Sequence, residues 1–299
     1  MREGDSMKVS FLGLGTMGYP MAGHVSKAGH EVVVYNRTAS KAQRWLEQYS
    51  GSMAETPALA AKDADIVLTC VGNDNDLREL YLGEQGALST ARPGTLFIDH
   101  TTASAEVAKE LAAAIHEKGC SFLDAPVSGG QAGAENGVLT VMIGGAQENI
   151  ERASSVLTCF AKAYTRMGDI GAGQLAKMVN QILIGGVLSG LSEGIRFAQK
   201  AGLDIDTLVE TLKYGAAGSW QLENRGATMA KDEFDFGFAI EWMHKDLGIA
   251  LAQAEKMGIE LPHTQGVDQD YVALIEEGRG RQDTSVLIKA LDKRNQGQS

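Results

Sequence analysis

Lys177, Asn180 and Gln181 combine residue types and spacing that could move a proton and grip a polar substrate. They stand at i, i+3 and i+4, so a helix running through them puts all three on one face. The stretch opens with Gly171-Ala172-Gly173 and continues through Gln174, Leu175, Ala176, Met178 and Val179. A lysine beside two amides in largely apolar company is unusual for a solvated face. Drawing an ammonium partly out of water favours the neutral amine, which brings proton exchange nearer to neutral pH. Lys177 is therefore the candidate general acid and base. A lysine that only lays its stem along a packed helix would look similar, but the glycine-rich opening and its position at a domain junction favour the chemical reading.

A second cluster could hold a phosphate. Phe11-Leu12 leads into Gly13-Leu14-Gly15-Thr16-Met17-Gly18, the G-x-G-x-x-G spacing directly after a strand and at the opening of a helix. Gly13 permits the tight turn, Gly15 lets the backbone approach a pyrophosphate, and Gly18 allows close helix–strand packing. The exposed N–H groups and the positive helix end then face the anion. The following strand ends in Asn36-Arg37-Thr38, without the acid that would bind the ribose hydroxyls of NAD. Arg37 can pair with a 2′-phosphate, so NADP is the expected cofactor, with NAD also possible. A third loop, Asp124 to Ala134, follows a strand and offers Ser128, Gly129 and Gly130, a hydroxyl with flexible N–H groups suited to a small carboxylate. A long structural loop would share that composition. Lys245-Asp246 adds a basic residue on a later helix. His24, His30, His100, His116, His244 and His263 lack metal-binding spacing, so no metal and no Ser-His-Asp arrangement is expected.

The elements that position these residues fall into two blocks. Up to residue 168, short buried strands (8–12, 31–35, 65–69, 95–99, 121–123, 138–143, 163–166) alternate with helical stretches such as 104–118. That alternation implies an α/β Rossmann-type doubly wound sheet over residues 7–168. From 169 to 299 the signals are helical, giving an all-α second domain joined by one long helix over 171–201. Further helices are read at 205–213, 218–230, 239–256 and 262–276, with a polar tail from Lys293 to Ser299. Gly186, Gly190, Gly194 and Ala198 form a stripe on the long helix that begins on the face opposite Lys177. It fits either close packing within the domain or a subunit contact. The apolar stretch 182–191 is too short to span a bilayer.

With 27 basic and 38 acidic residues the formal charge is −11. That argues against binding to nucleic acid or an anionic membrane. Cys70, Cys120 and Cys159 are odd in number and form no C-x-x-C pair, which fits reduced thiols in the cytoplasm. The polar start, Met1 to Ser6, carries no hydrophobic leader, an expectation in the same direction.

In order along nearly the whole chain, Gly13–Gly18, Asp124–Gly130, Gly171–Asn180 and Lys245-Asp246 resemble the β-hydroxyacid dehydrogenase family. Its members include 3-hydroxyisobutyrate dehydrogenases and the tartronate-semialdehyde and glyoxylate/succinic-semialdehyde reductases. The resemblance implies a Rossmann domain, a helical second domain and a cleft between them. It implies cofactor contacts from Gly13, Leu14, Gly15, Met17, Gly18, Asn36, Arg37, Thr38, Val71, Gly72, Asn75 and Thr102, with Lys245 reaching into the cleft. It makes Ser128, Gly129 and Gly130 the carboxylate loop and Lys177 the catalytic lysine. Several members carry Asn four residues after the lysine, where this chain has Gln181, with Asn180 one place earlier; which amide meets substrate stays open. The implied reaction is hydride transfer between NADP(H) and a small β-hydroxyacid or its semialdehyde, in a homodimer or homotetramer. A non-catalytic NADP-binding scaffold and an imine reductase share the fold, but Lys177 speaks for the dehydrogenase.

Overall fold

The computed structural model describes residues 6–296. The first five residues of the polar start and the last three of the polar tail lie outside them. The chain divides into two compact units, residues 1–177 and 178–299. This division by packing falls inside the long helix, beyond the boundary at residue 168 read from the end of the strand signals.

The first unit is built on nine strands: β1 Lys8–Leu12, β2 Glu31–Tyr35, β3 Ser52–Met53, β4 Ile66–Thr69, β5 Leu96–Asp99, β6 Ser121–Asp124, β7 Val127–Ser128, β8 Leu139–Gly144 and β9 Ala161–Gly168. Their order is β3-β2-β1-β4-β5-β6-β8-β7, with β9 beside β8. The six strands from β3 to β6 are parallel, and β8 runs antiparallel to β6 and β7. Successive side chains point to opposite faces, which is why the strands read as continuous apolar runs. Val9, Phe11, Val32, Val34, Ile66, Leu68, Leu96 and Ile98 fill one face's core. Leu12, Val67, Phe97 and Phe122 fill the other. Helices cover both: α1 Gly18–Lys27, α2 Ala39–Gln48, α3 Pro57–Ala61, α4 Asp74–Leu82, α5 Ala105–Glu117, α6 Gly130–Glu135 and α7 Gln147–Leu157. The chain order reverses between β1 and β4, so the crevice at their carboxyl ends is where a doubly wound sheet takes its ligand.

α8, Ala172–Lys200, starts in the first unit and continues into the second, followed by α9 Ile205–Leu212, α10 Trp220–Ala230, α11 Ile240–Met257, α12 Pro262–Leu274 and α13 Ile288–Gln296. Leu188, Ile195, Met229, Phe234, Met243, Leu247, Tyr271 and Leu274 form this unit's core. Two details correct the sequence reading. The helix read to residue 276 ends at Leu274, where a wide turn carries Gly278 at φ +83°. The supposed polar tail begins inside α13, whose Ile288 and Ala290 are buried. A third correction concerns membranes: α8 as a whole is long and apolar enough to cross one by length and composition, although 182–191 alone is not. Its inner side, however, carries buried Gln174, Lys177, Gln181 and Ser192.

Its outer side bears on the glycine stripe. A Cβ at Gly190 or Gly194 would meet nothing within 4 Å, and one at Gly186 only the His263 ring at 3.8 Å. Leu175, Val179, Leu183, Val187 and Phe197 are exposed on the same helix. At about 100° per residue these positions share one arc of roughly 120°. Among the described residues nothing packs against the stripe at Gly190 and Gly194, whereas Ala198 at its end is buried.

Candidate active site

The phosphate loop has the geometry that its glycines require. Gly13 sits at φ +102°, and a Cβ there would lie 2.2 Å from the Cys70 carbonyl oxygen. No other residue fits that turn. Above Gly15, by contrast, a Cβ would meet nothing within 4 Å, so the backbone is bare where an anion would approach. α1 begins without a side-chain cap and without an acid in its first turn. Its N–H groups and positive end thus suit a pyrophosphate.

The end of β2 is tied into the same loop. Gly13 N–H donates to the Tyr35 carbonyl at 2.9 Å. Leu14 N–H donates to Asn36 Oδ1 at 2.9 Å, and Asn36 Nδ2 donates to the Thr38 carbonyl at 3.1 Å. Asn36 is therefore a brace between loop and strand. Arg37 is 88% exposed and reaches only Asp76, at 3.4 Å. Thr38 stands at the start of α2 without spending its hydroxyl on a cap. An exposed guanidinium and a nearby hydroxyl are the donor set that a 2′-phosphate needs.

The loops after β4, β5 and β6 meet the start of α8 in one buried network. Val71 N–H donates to Thr101 Oγ1 at 3.0 Å. Gln174 Nε2 donates to the Thr101 carbonyl at 2.7 Å, while Gln174 Oε1 accepts from Ala103 N–H at 3.0 Å. Asp124, at the end of β6, accepts from Gly171 N–H at 2.7 Å and from Gln174 N–H at 2.9 Å. It thus caps α8 from another element, answering N–H groups that the helix cannot satisfy itself. The contact explains Gly173: a Cβ there would lie 2.5 Å from the Asp124 carbonyl oxygen and 2.8 Å from its carboxylate.

Lys177 follows Gln174 by one turn and is buried, 7% exposed. Thr102 and Gly72 are half-buried in the same loops, and Asn75 lies exposed in the first turn of α4. Ser128 ends β7, half-buried, and Gly129 (φ +135°) and Gly130 (φ +61°) turn the chain into α6.

In the second unit the two amides separate. Gln181 is buried, donating from Nε2 to Asp246 Oδ2 at 2.7 Å and accepting at Oε1 from Asn180 Nδ2 at 2.7 Å. Asn180 is half-buried. Lys245 Nζ lies 3.1 Å from Asp246 Oδ1 and 5.9 Å from the centre of the Trp242 ring.

The sequence reading did not find Thr101, Gln174 or Asp246, nor the capping role of Asp124. A signal did exist for two of them. Asp124 is a carboxylate ending an apolar strand, which must find donors when buried. Gln174 occupies the third position of a helix, where Glu or Gln often completes a cap.

Burial dominates the electrostatics of this strand edge. Asp99 and Asp124 are register partners on β5 and β6. Burial pushes Asp99 up to about 7, against a hydrogen bond from Thr101, with Asp124 adding to the rise. Burial likewise raises Asp124 to about 6, against the N–H groups of Gly171 and Gln174. His100 is held neutral, its pKa lowered by burial to about 4, with Nδ1 2.7 Å from the Ala125 carbonyl. Its Nε2 finds no hydrogen-bond partner among the described residues. Among those residues no His, Cys, Asp and Glu cluster gathers that could hold a metal ion.

A phosphate-ready glycine loop at the switch point of a parallel sheet, followed by a buried lysine, defines an NAD(P)-binding oxidoreductase. Residues 8–168 match the NAD-binding domain of 6-phosphogluconate dehydrogenase, and 171–291 match the NAD-binding domain of NADP-dependent 3-hydroxyisobutyrate dehydrogenase. An uncharacterized oxidoreductase of Shewanella frigidimarina is 54% identical, over 96% of this chain and 98% of its own. A probable mitochondrial 3-hydroxyisobutyrate dehydrogenase-like protein of Arabidopsis thaliana is 40% identical, over 97% of this chain and 87% of its own. The solved 3-hydroxyisobutyrate dehydrogenase of Mycobacterium tuberculosis with L-serine superposes with a TM-score of 0.87 at 30% identity, covering 96% of this chain and 99% of that one. The chain belongs to the β-hydroxyacid dehydrogenase family, and it is an NAD(P)-dependent enzyme acting on CH–OH groups.

The buried His100 yields a pH test. Its folded pKa lies below the unfolded value of 6.5, so the unfolded chain takes up the proton first. The stability that neutral His100 permits is present above pH 6.5 and is lost as pH falls towards 4. Relative to His100→Asn, thermal unfolding of the wild type should shift downward across that window and stay level above pH 7. Parallel melting curves from pH 7.5 to 4 would show that His100 charges freely in the native state.

Proposed function

We propose that this enzyme prefers NADP and moves a hydride between the nicotinamide and a small β-hydroxyacid or its semialdehyde, with Lys177 as general acid and base. The observation that carries the reading is the burial of Lys177 one turn beyond Gln174, at a helix start pinned by Asp124. When bound, the nicotinamide supplies or takes up the hydride. In reduction the Lys177 ammonium stabilises the charge gathering on the substrate oxygen and then gives it a proton. In oxidation the neutral amine accepts the hydroxyl proton. Ser128, the turn at Gly129 and the open backbone at Gly130 hold the substrate carboxylate. Asn180, on the same helix as Lys177 and less buried than Gln181, offers its amide to the substrate. Gly13, Leu14, Gly15, Met17 and Gly18 hold the pyrophosphate, and Arg37 with Thr38 holds the 2′-phosphate.

We also propose a homodimer or homotetramer joined through the outer face of α8. The exposed Leu183, Val187 and Phe197 and the open space over Gly190 and Gly194 support this, because neighbouring exposed apolar side chains favour burial.

Three outcomes check these readings. Lys177→Ala should lower kcat for 3-hydroxyisobutyrate or semialdehyde turnover by about 10²–10⁴-fold, the usual contribution of a positioned proton donor. NADPH affinity, measured by fluorescence titration, should hold; wild-type turnover in this variant would remove Lys177 from the chemistry. Arg37→Ala should cut the NADPH-over-NADH ratio of kcat/KM by about tenfold, the low end for a charge-assisted contact because Arg37 is solvent-screened. An unchanged ratio would mean that Arg37 points away from the cofactor. Light scattering should give at least twice the 31.8 kDa chain mass, and Leu183→Glu should reduce it. A monomer mass for the wild type at micromolar concentration overturns the assembly.

A further inference from the structure

We infer that Asp246, acting through Gln181, sets the orientation of the Asn180 side chain and is a positioning residue for the amide that meets the substrate. The inference rests on the proposal that Asn180 faces the substrate. All the contacts that carry it lie within residues 178–299.

Asp246 sits on α11, almost fully buried, and its two oxygens have different partners. Oδ1 lies 3.1 Å from Lys245 Nζ, and Oδ2 accepts from Gln181 Nε2 at 2.7 Å. A carboxylate paired with an ammonium accepts hydrogen bonds and has none to give. Gln181 must therefore turn its NH2 group towards Asp246, where it also lies 3.5 Å from Met243 Sδ. That leaves Oε1 as the only face Gln181 can present to its neighbour. Asn180 answers with Nδ2, at 2.7 Å. An isolated asparagine amide can turn over and exchange its oxygen for its NH2 at small cost. This one cannot, because turning it would set its oxygen against the oxygen of Gln181.

The charge at one end of the chain thus dictates the direction of every hydrogen bond in it. Such a row also strengthens each bond by polarisation in a low-dielectric interior. A buried carboxylate is a poor choice for stability alone, since apolar residues of similar volume often serve as well or better. Its use here is directional. With Nδ2 committed on one side, Asn180 Oδ1 is held on the other.

The test uses the full-length enzyme with NADP+ and 3-hydroxyisobutyrate as probe. Asp246→Asn lets Gln181 turn over, so the substrate KM should rise and kcat/KM fall by about tenfold or more, as for loss of a buried polar contact to substrate. Gln181→Met breaks the relay yet leaves Asp246 beside Lys245. It should raise substrate KM similarly while NADPH Kd, read by fluorescence titration, stays unchanged. The decisive variant combines Asp246→Asn with Gln181→Glu. The new glutamate accepts from both sides, keeps the local charge and again presents only oxygen to Asn180, so kcat/KM should recover to within about threefold. Should Asp246→Asn fail to fold, Gln181→Met and the double variant carry the test. If the double variant melts like the wild type yet performs no better than Gln181→Met, the relay is wrong. It is also wrong if Asp246→Asn keeps a wild-type KM while Asn180→Ala raises it. A wild-type KM in Asn180→Ala removes the role of Asn180 itself, and the relay with it.

Discussion

The hydrogen bonds from Gly171 and Gln174 N–H to Asp124 are the contact on which the rest of the site depends. They join the last of the parallel strands to the first turn of a helix that is 29 residues long. A carboxylate buried this deeply costs several kcal/mol unless it is well paired. Two charge-assisted bonds and the positive end of α8 offset part of that cost, although burial still raises the Asp124 pKa. They do so only because Gly173 lets the helix backbone approach Asp124 closely. The axial position of α8 follows from this cap, and with it the height of Lys177 relative to the strand ends.

Gln174 extends the arrangement sideways. Its side chain bonds both the Thr101 carbonyl and the Ala103 N–H, and Thr101 in turn receives Val71 N–H. Three strand-end loops that face the cofactor crevice are thereby referenced to one helix turn. At the same edge, burial raises two carboxylates and lowers one imidazole. In each case burial favours the neutral form, so the edge carries less charge near neutral pH than its residue types suggest.

Much of this was legible in the residues themselves because it is local. A buried parallel strand writes itself as a short apolar run, and β1, β2, β4 and β5 fell within a residue of their expected bounds. The glycine loop was legible because Gly13 obeys a backbone constraint that no other residue meets. Lys177 stood out by its setting. By contrast β3 and β7, two residues each, exist only because a neighbouring strand pairs with them, and they leave no periodicity to read. α13 was hidden by its polar outer face. Asp246 lies 65 residues from Gln181, and nothing in either neighbourhood announces the other. That Gln181 is buried and Asn180 only half-buried was hidden for the same reason, because burial is a property of the packed unit.

The long helix is held near its start by two different sets of partners. Lys177 takes its register from Asp124 and Gln174, in the first unit, whereas the amides that follow it are braced by α11 of the second. The lysine and the amides that follow it are thus held by separate sets of hydrogen bonds. A substitution on α11 can therefore alter how the amides are held without touching the hydrogen bonds that fix the start of α8.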